Sequence, residues 1–145
     1  MLKKFLVLSC LALLLTAAQA GAAPVKMDCN AIYPAGNFHS QGAVNFAEKV
    51  KAATNGEVVI TVHAGGALGF KGPELLKAVK DATVPMTDVL MGVVAGSEEI
   101  FGISSMPRVA TSYADAKKFY DLAKPAYEKA LAPWNPKLHY AAPGT

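Results

Sequence analysis

Four glycines fall within ten residues in "HAGGALGFKG", His63 to Gly72. Between a strand and a helix, such a loop can bring backbone N–H groups up to a phosphate. The spacing of Gly65, Gly66, Gly69 and Gly72 matches neither the dinucleotide fingerprint nor the P-loop, because Gly72 follows Lys71 where Ser or Thr is needed. A tight β-to-α connection needing unusual backbone angles is the plainer reading. His39, His63 and His139 are the three histidines, and no two stand at metal-ligand spacing. There is no G-x-S-x-G elbow and no Ser, His and acid in a recognised order. The adjacent acids Glu98 and Glu99 read as a solvated surface pair. The residues therefore call for no catalytic group, metal or cofactor. Cys29 lies in an apolar stretch without a partner spacing and reads as a small buried hydrophobe. Arg108, the only arginine, follows Met106-Pro107; a guanidinium is a natural fork for a carboxylate, and an exposed loop-end arginine is the alternative.

The elements that must position these groups follow from hydrophobic periodicity. Val25 to Ile32 is a candidate first strand, followed by the loop Tyr33 to Ser40. Ala43, Phe46, Ala47, Val50 and Ala53 recur at helical steps, and Asn55-Gly56 stops that helix. Val58 to Val62, "VVITV", suits a strand buried on both faces. Pro73 fits the first turn of a helix whose buried face is Leu75, Leu76, Val79 and Ala82. Val89 to Val94 is expected to be the third strand. Ser112 with Asp115 forms a capping box, opening a helix with Phe119, Tyr120, Ala123, Tyr127, Ala130 and Leu131 on its apolar face. Pro125 is expected to kink or divide it. Lys137 to Ala142 reads as a further strand start.

Strand and helix thus alternate, which predicts an α/β fold with a mostly parallel sheet and flanking helices. Ligands in such sheets sit beyond the carboxyl ends of the strands. That places Tyr33, Asn37, Phe38 and His39 in the first ligand-facing loop and Phe70 in the second. Leu90 and Met91 lie on or near the third.

Residues 1–20 read as a secretory signal peptide: Lys3-Lys4, the apolar run Phe5 to Ala18, and the A-x-A site Ala18-Gln19-Ala20, cut after Ala20. The run is shorter than the roughly 20 apolar residues of a membrane span. A lipoprotein signal at "VLSC" is disfavoured because Cys10 sits in mid-run. Removal leaves 125 of the 145 residues, one ordinary domain. Without Lys3 and Lys4, the 14 basic residues fall to 12 against 11 acidic ones. Nothing in that balance would drive nucleic-acid binding.

Several stretches in order resemble the TRAP-transporter solute-binding proteins. They are "FAEKV" (Phe46 to Val50), Asn55-Gly56, the I-x-V strand Ile60 to Val62, G-x-x-L-G (Gly65 to Gly69) and E-L-L-x-A-V-x-D (Glu74 to Asp81). V-x-M (Val84 to Met86), "ISSMP" (Ile103 to Pro107) and "YADAKKFYD" (Tyr113 to Asp121) follow. The resemblance covers nearly all of residues 21–145. It implies the first lobe of a two-lobed periplasmic binding protein that captures a small organic acid and delivers it to a membrane permease. It also implies that the chain is the incomplete front portion of such a protein, since the strand resembling "KLHYAAPGT" leads in the family into a second lobe. The family's usual carboxylate-binding arginine would come just after it.

The expected ligand contacts are Tyr33, Asn37, Phe38, His39, Phe70, Leu90 and Met91, with Arg108 added for its guanidinium alone, since relatives often carry an apolar residue after that proline. The apolar Leu90 and Met91, where some relatives carry polar contacts, point to a monocarboxylate with an apolar or aromatic body. Two alternatives stand beside this reading. One is a stand-alone exported ligand-binding or sensor-input domain. The other is an exported enzyme that uses the glycine loop and Lys71 for a phosphorylated substrate.

Overall fold

The computed structural model describes residues 23–143. The expected signal peptide and its expected cleavage site lie outside the described residues, as do Gly144 and Thr145. Three strands, β1 (Val25–Asn30), β2 (Val58–His63) and β3 (Met86–Thr87), form a parallel sheet in the order β2-β1-β3. Helices α1 (Phe38–Ala53), α2 (Leu75–Lys80) and α3 (Tyr113–Leu131) flank it. Short 3-10 turns occupy Ala64–Gly66, Met91–Val94, Glu99–Ser105 and Ala132–Trp134. This is the expected α/β architecture with a parallel sheet.

Local chemistry sets the helix ends. The Asn37 side chain accepts from His39 N at 2.9 Å and starts α1 five residues before the apolar stripe does. Asn37 and His39 therefore belong to the cap and first turn of a helix rather than to a free loop. At the other end Gly56, at φ 83°, donates its N–H to Lys51 O at 2.8 Å and closes the last turn. In α3, Ser112 Oγ accepts from Asp115 N at 3.1 Å, completing the expected cap. Hydrogen bonds from the Ser112 and Thr111 hydroxyls hold the Asp115 carboxyl below its ordinary range. Pro125 does not divide α3, which runs unbroken through it. Lys124, Pro125 and Ala126 all face solvent, so water can reach the carbonyl that proline leaves without a donor.

Two apolar clusters form the interior, and only the first includes residues of the sheet. Cys29, Ala47 and Ile60, with Phe46, Val50, Val62 and Met86 around them, join α1 to the strands. Leu75, Leu76, Val94, Phe101, Ala123, Tyr127 and Leu131 join α2, α3 and the intervening turns. Burial pushes the Cys29 thiol up to about 11, and the charge of Asp88 adds to that. In a form lacking residues 1–20, and with them Cys10, a disulfide reagent at pH 8 should leave Cys29 unmodified until denaturant is added. Rapid labelling of the native protein would contradict the packing around Cys29.

Three expectations are corrected. The third strand is Met86–Thr87, not Val89 to Val94; Met91–Val94 is a 3-10 turn. An apolar run of that length does not by itself distinguish a strand from a buried turn. Here Val94 is wholly buried beside Phe101, and a Cβ at Gly92 would collide with the Ser105 side chain, so the two turns pack directly together. The second correction is to β2, which is not buried on both faces: the face with Val58, Ile60 and Val62 packs on α1, while Thr61 on the other face is exposed. Finally, Lys137 to Ala142 forms no strand and pairs with none among the described residues. Leu138 packs on the larger cluster and Tyr140 lies 5.6 Å, ring to ring, from Phe46 of α1. Several apolar side chains also stand open to solvent, among them Leu122, Tyr113 and Met106.

Candidate functional site

The carboxyl ends of β1 and β2 are bound together by their loops. Ala31 N donates to His63 O at 2.9 Å, and Ser40 Oγ donates to Tyr33 O at 2.7 Å. The glycine loop is drawn into the same structure. Gly65 N donates to Tyr33 O at 2.7 Å, Gly66 N to Ala31 O at 2.9 Å, and Gly69 N to Gly66 O at 2.9 Å. Gly72 N donates to Glu74 Oε1 at 2.9 Å, and Lys71 N donates to the same oxygen at 2.8 Å. Hydrogen bonds from the amides of Lys71, Glu74 and Gly72, in that order of effect, hold the Glu74 carboxyl below its usual range. All four glycine amides are thus engaged within the protein and none is left to cradle a phosphate. Gly66 is required for its shape: its φ is +65°, and the Lys71 stem would lie 2.5 Å from a Cβ.

At the N-terminus of α1, Tyr33, Asn37, Phe38 and His39 come together. The rings of Tyr33 and His39 stack at 5.0 Å, and Phe38 lies 4.1 Å from His39 with nearly half its surface exposed. Beside them the ends of β1 and β3 contribute polar groups that the residue pattern did not single out. Asn30 is fully buried, and its Nδ2 donates to Phe70 O at 3.0 Å and to Thr87 Oγ1 at 3.3 Å. Asp88 N donates to Asn30 O at 2.8 Å. Asn30 Oδ1 and Asp88 Oδ2 are both shut off from solvent and accept no hydrogen bond from the described residues. Enclosed acceptors left without donors cost roughly 1–3 kcal/mol each. Burial pushes the Asp88 carboxyl up, and the charge of His39 opposes that. Tyr140 also stands close enough to Asp88 for its phenol to be pushed up, first by burial and then by that charge.

The remaining expected site residues are placed differently. Phe70 reaches the carboxyl edge through its carbonyl, while its side chain packs on the larger cluster. Met91 packs on that cluster too, whereas Leu90 is exposed. Arg108 is exposed in the connection before α3, with a left-handed φ of 63°, and among the described residues makes no ion pair. Asn30 and Asp88 carried one legible signal, a polar residue just where an apolar strand ends. Among the described residues no cluster of His, Cys, Asp and Glu could hold a metal ion, and no helix is long and apolar enough to cross a membrane. One open groove, of roughly 270 Å³, lies between α1 and β2 along Val44, Glu48, Lys51 and Val59.

The model of the bacterial extracellular solute-binding protein family 7, DctP, matches residues 29–140, from the end of β1 to Tyr140. The chain belongs to this family. Among solved structures, it is similar to a TRAP solute-binding protein from an unidentified marine microbe, specific for pyroglutamate. The two share 39% identity at a TM-score of 0.73, over 79% of this chain and 37% of that one. It is also similar to two Bordetella pertussis extracytoplasmic solute receptors that bind pyroglutamic acid, at 30% and 29% identity. Each has a TM-score of 0.71, over 76% of this chain and 36% of the other. No curated protein matches the chain. The chain spans little more than a third of the length of these solved receptors. The family and these structures are solute-binding proteins rather than enzymes.

Proposed function

We propose that residues 21–145 form the first lobe of an extracytoplasmic receptor that captures a small monocarboxylate and hands it to a TRAP-type membrane permease. On this reading residues 1–20 direct export to the periplasm and are cut after Ala20. The observation that carries the proposal is the convergence of Tyr33, Phe38 and His39 with the polar ends of β1 and β3, at the carboxyl edge of the sheet. The similarity to receptors that bind pyroglutamate supports a small, compact acid as the solute. Exposed Phe38 and Leu90 supply apolar surface for a non-hydroxylated body. The glycine-loop amides, all occupied, speak against the phosphorylated-substrate alternative.

The test uses the product of the complete reading frame, titrated with L-pyroglutamate and with hydroxylated sugar acids such as gluconate while its melting is followed. Ligand at about a hundred times Kd stabilises a protein by about 2.7 kcal/mol, or several degrees in Tm. That rise is expected with pyroglutamate and not with gluconate. A shift with gluconate alone, or with neither acid, would sink the reading.

A further inference from the structure

Of the asparagines at 30, 37, 45, 55 and 135, only Asn55 is followed by glycine. A glycine nitrogen can approach the preceding side chain without a Cβ in the way. Ala31, Phe38 and Phe46 follow three of the others, and Pro136 after Asn135 has no N–H to give up. Asn55 is exposed in the turn between α1 and β2, and both it (φ 48°) and Gly56 (φ 83°) are left-handed. Every backbone N–H of that turn has an acceptor. Thr54 N donates to Val50 O at 3.0 Å, Asn55 N to Ala52 O at 3.2 Å, Gly56 N to Lys51 O at 2.8 Å and Glu57 N to Thr54 O at 2.9 Å. The Thr54 hydroxyl ties the turn to both elements, donating to Val50 O at 2.8 Å and accepting from Val58 N at 3.1 Å.

We propose that Asn55 is a site of covalent modification by deamidation, gated by this turn. Hydroxide takes the proton of the Gly56 nitrogen, which then bonds to the Asn55 side-chain carbonyl carbon. The bond from that carbon to the side-chain nitrogen breaks, releasing ammonia and closing a succinimide ring. Water next cleaves one of the two carbonyl–nitrogen bonds of the ring, leaving aspartate or isoaspartate, and nothing is oxidised or reduced. The attacking nitrogen is the one whose hydrogen is given to Lys51 O, so the folded turn withholds it and reaction proceeds from molecules in which the last turn of α1 has frayed. The product in turn loosens the cap. Isoaspartate lengthens the main chain by a methylene and carries the Gly56 N–H away from Lys51 O. Either product sets a carboxylate beside Glu57 at the end of α1, where the helix already carries partial negative charge. The next residues open β2, whose first rung is Val25 N to Glu57 O at 2.8 Å. The modification thus marks molecules that have opened at the α1–β2 turn and leaves them less stable.

The deciding experiment incubates the product of the complete reading frame at pH 8 in heavy-oxygen water, with and without denaturant. Peptide mass mapping then follows the label that succinimide opening leaves at position 55. In denaturant Asn55 should convert before Asn30, Asn37, Asn45 or Asn135. In the native protein it should convert at least about tenfold more slowly, since the turn must first open. Thr54→Val removes the hydroxyl that bonds Val50 and Val58, and should raise the native rate about threefold or more while leaving the rate in denaturant unchanged. The isolated deamidated protein should melt below the unmodified one. Equal rates with and without denaturant would overturn the gating, and that comparison decides even if Thr54→Val does not fold. A native rate unmoved in a folded Thr54→Val, or a deamidated protein as stable as the unmodified one, would count against it equally. Earlier labelling of any of the other four asparagines in denaturant, or none at position 55, would remove the site itself.

Discussion

Phe101→Ala should cost about 3–5 kcal/mol of folding stability, a large share of the roughly 5–15 kcal/mol that a domain has to lose. Phe101 is the largest fully buried side chain, and its ring lies 6.0 Å from that of Tyr127. Its neighbours Leu75, Val94 and Leu131 come from different segments, so the cavity left behind has no single element that can collapse into it. Denaturant titration of the product of the complete reading frame measures the effect. Leu122→Ala on α3, three-quarters exposed, is the control and should change stability by no more than about 0.5 kcal/mol. A cost near that of the control would mean that the larger cluster does not form as described.

Asn30→Asp should be comparably damaging at neutral pH, by roughly 3–5 kcal/mol, through electrostatics rather than volume. The side chains are nearly isosteric, but a carboxylate cannot donate to Phe70 O or Thr87 Oγ1 as the amide does, and it would be a fully buried charge without a partner. Burial would raise the folded pKa of the new carboxyl above the unfolded value of about 3.9. The folded state then binds the proton more tightly, so the variant's deficit should shrink as pH falls through that raised pKa and grow as pH rises through it. Unfolding curves of wild type and variant at pH 5 and pH 8 test the sign. A deficit independent of pH would show that the new carboxyl is solvated, and hence that the amide cradle at the carboxyl edge is open to water.

Much of this protein was legible along the chain because the forces concerned act within a few residues. Asn55-Gly56 ends α1 through a bond that spans five residues, and the Ser112–Asp115 box spans three. The order of strand and helix, the membership of "VVITV" in a strand and the gathering of Tyr33, Asn37, Phe38 and His39 near one strand end all rest on such short-range signals. The same signals misplaced what depends on partners. Val89 to Val94 is apolar enough for a strand, yet β1 pairs with Met86 and Thr87 and the later residues turn into the core. "VVITV" has the composition of a strand buried on both faces, but α1 covers only the face of Val58, Ile60 and Val62, leaving Thr61 in solvent. Met91, read as a ligand contact, became part of the packing, while Asn30 and Asp88, unremarked in the sequence, became the polar end of the sheet. The Asn30 side chain bonds Phe70 across 40 positions and Thr87 across 57, and no periodicity or cap carries information over that distance. The sequence by itself determined the order of strand and helix, the end of α1 and the start of α3. The tertiary structure decided which polar groups were shut away from water, because burial and hydrogen-bond partners are properties of the assembled sheet rather than of any single strand.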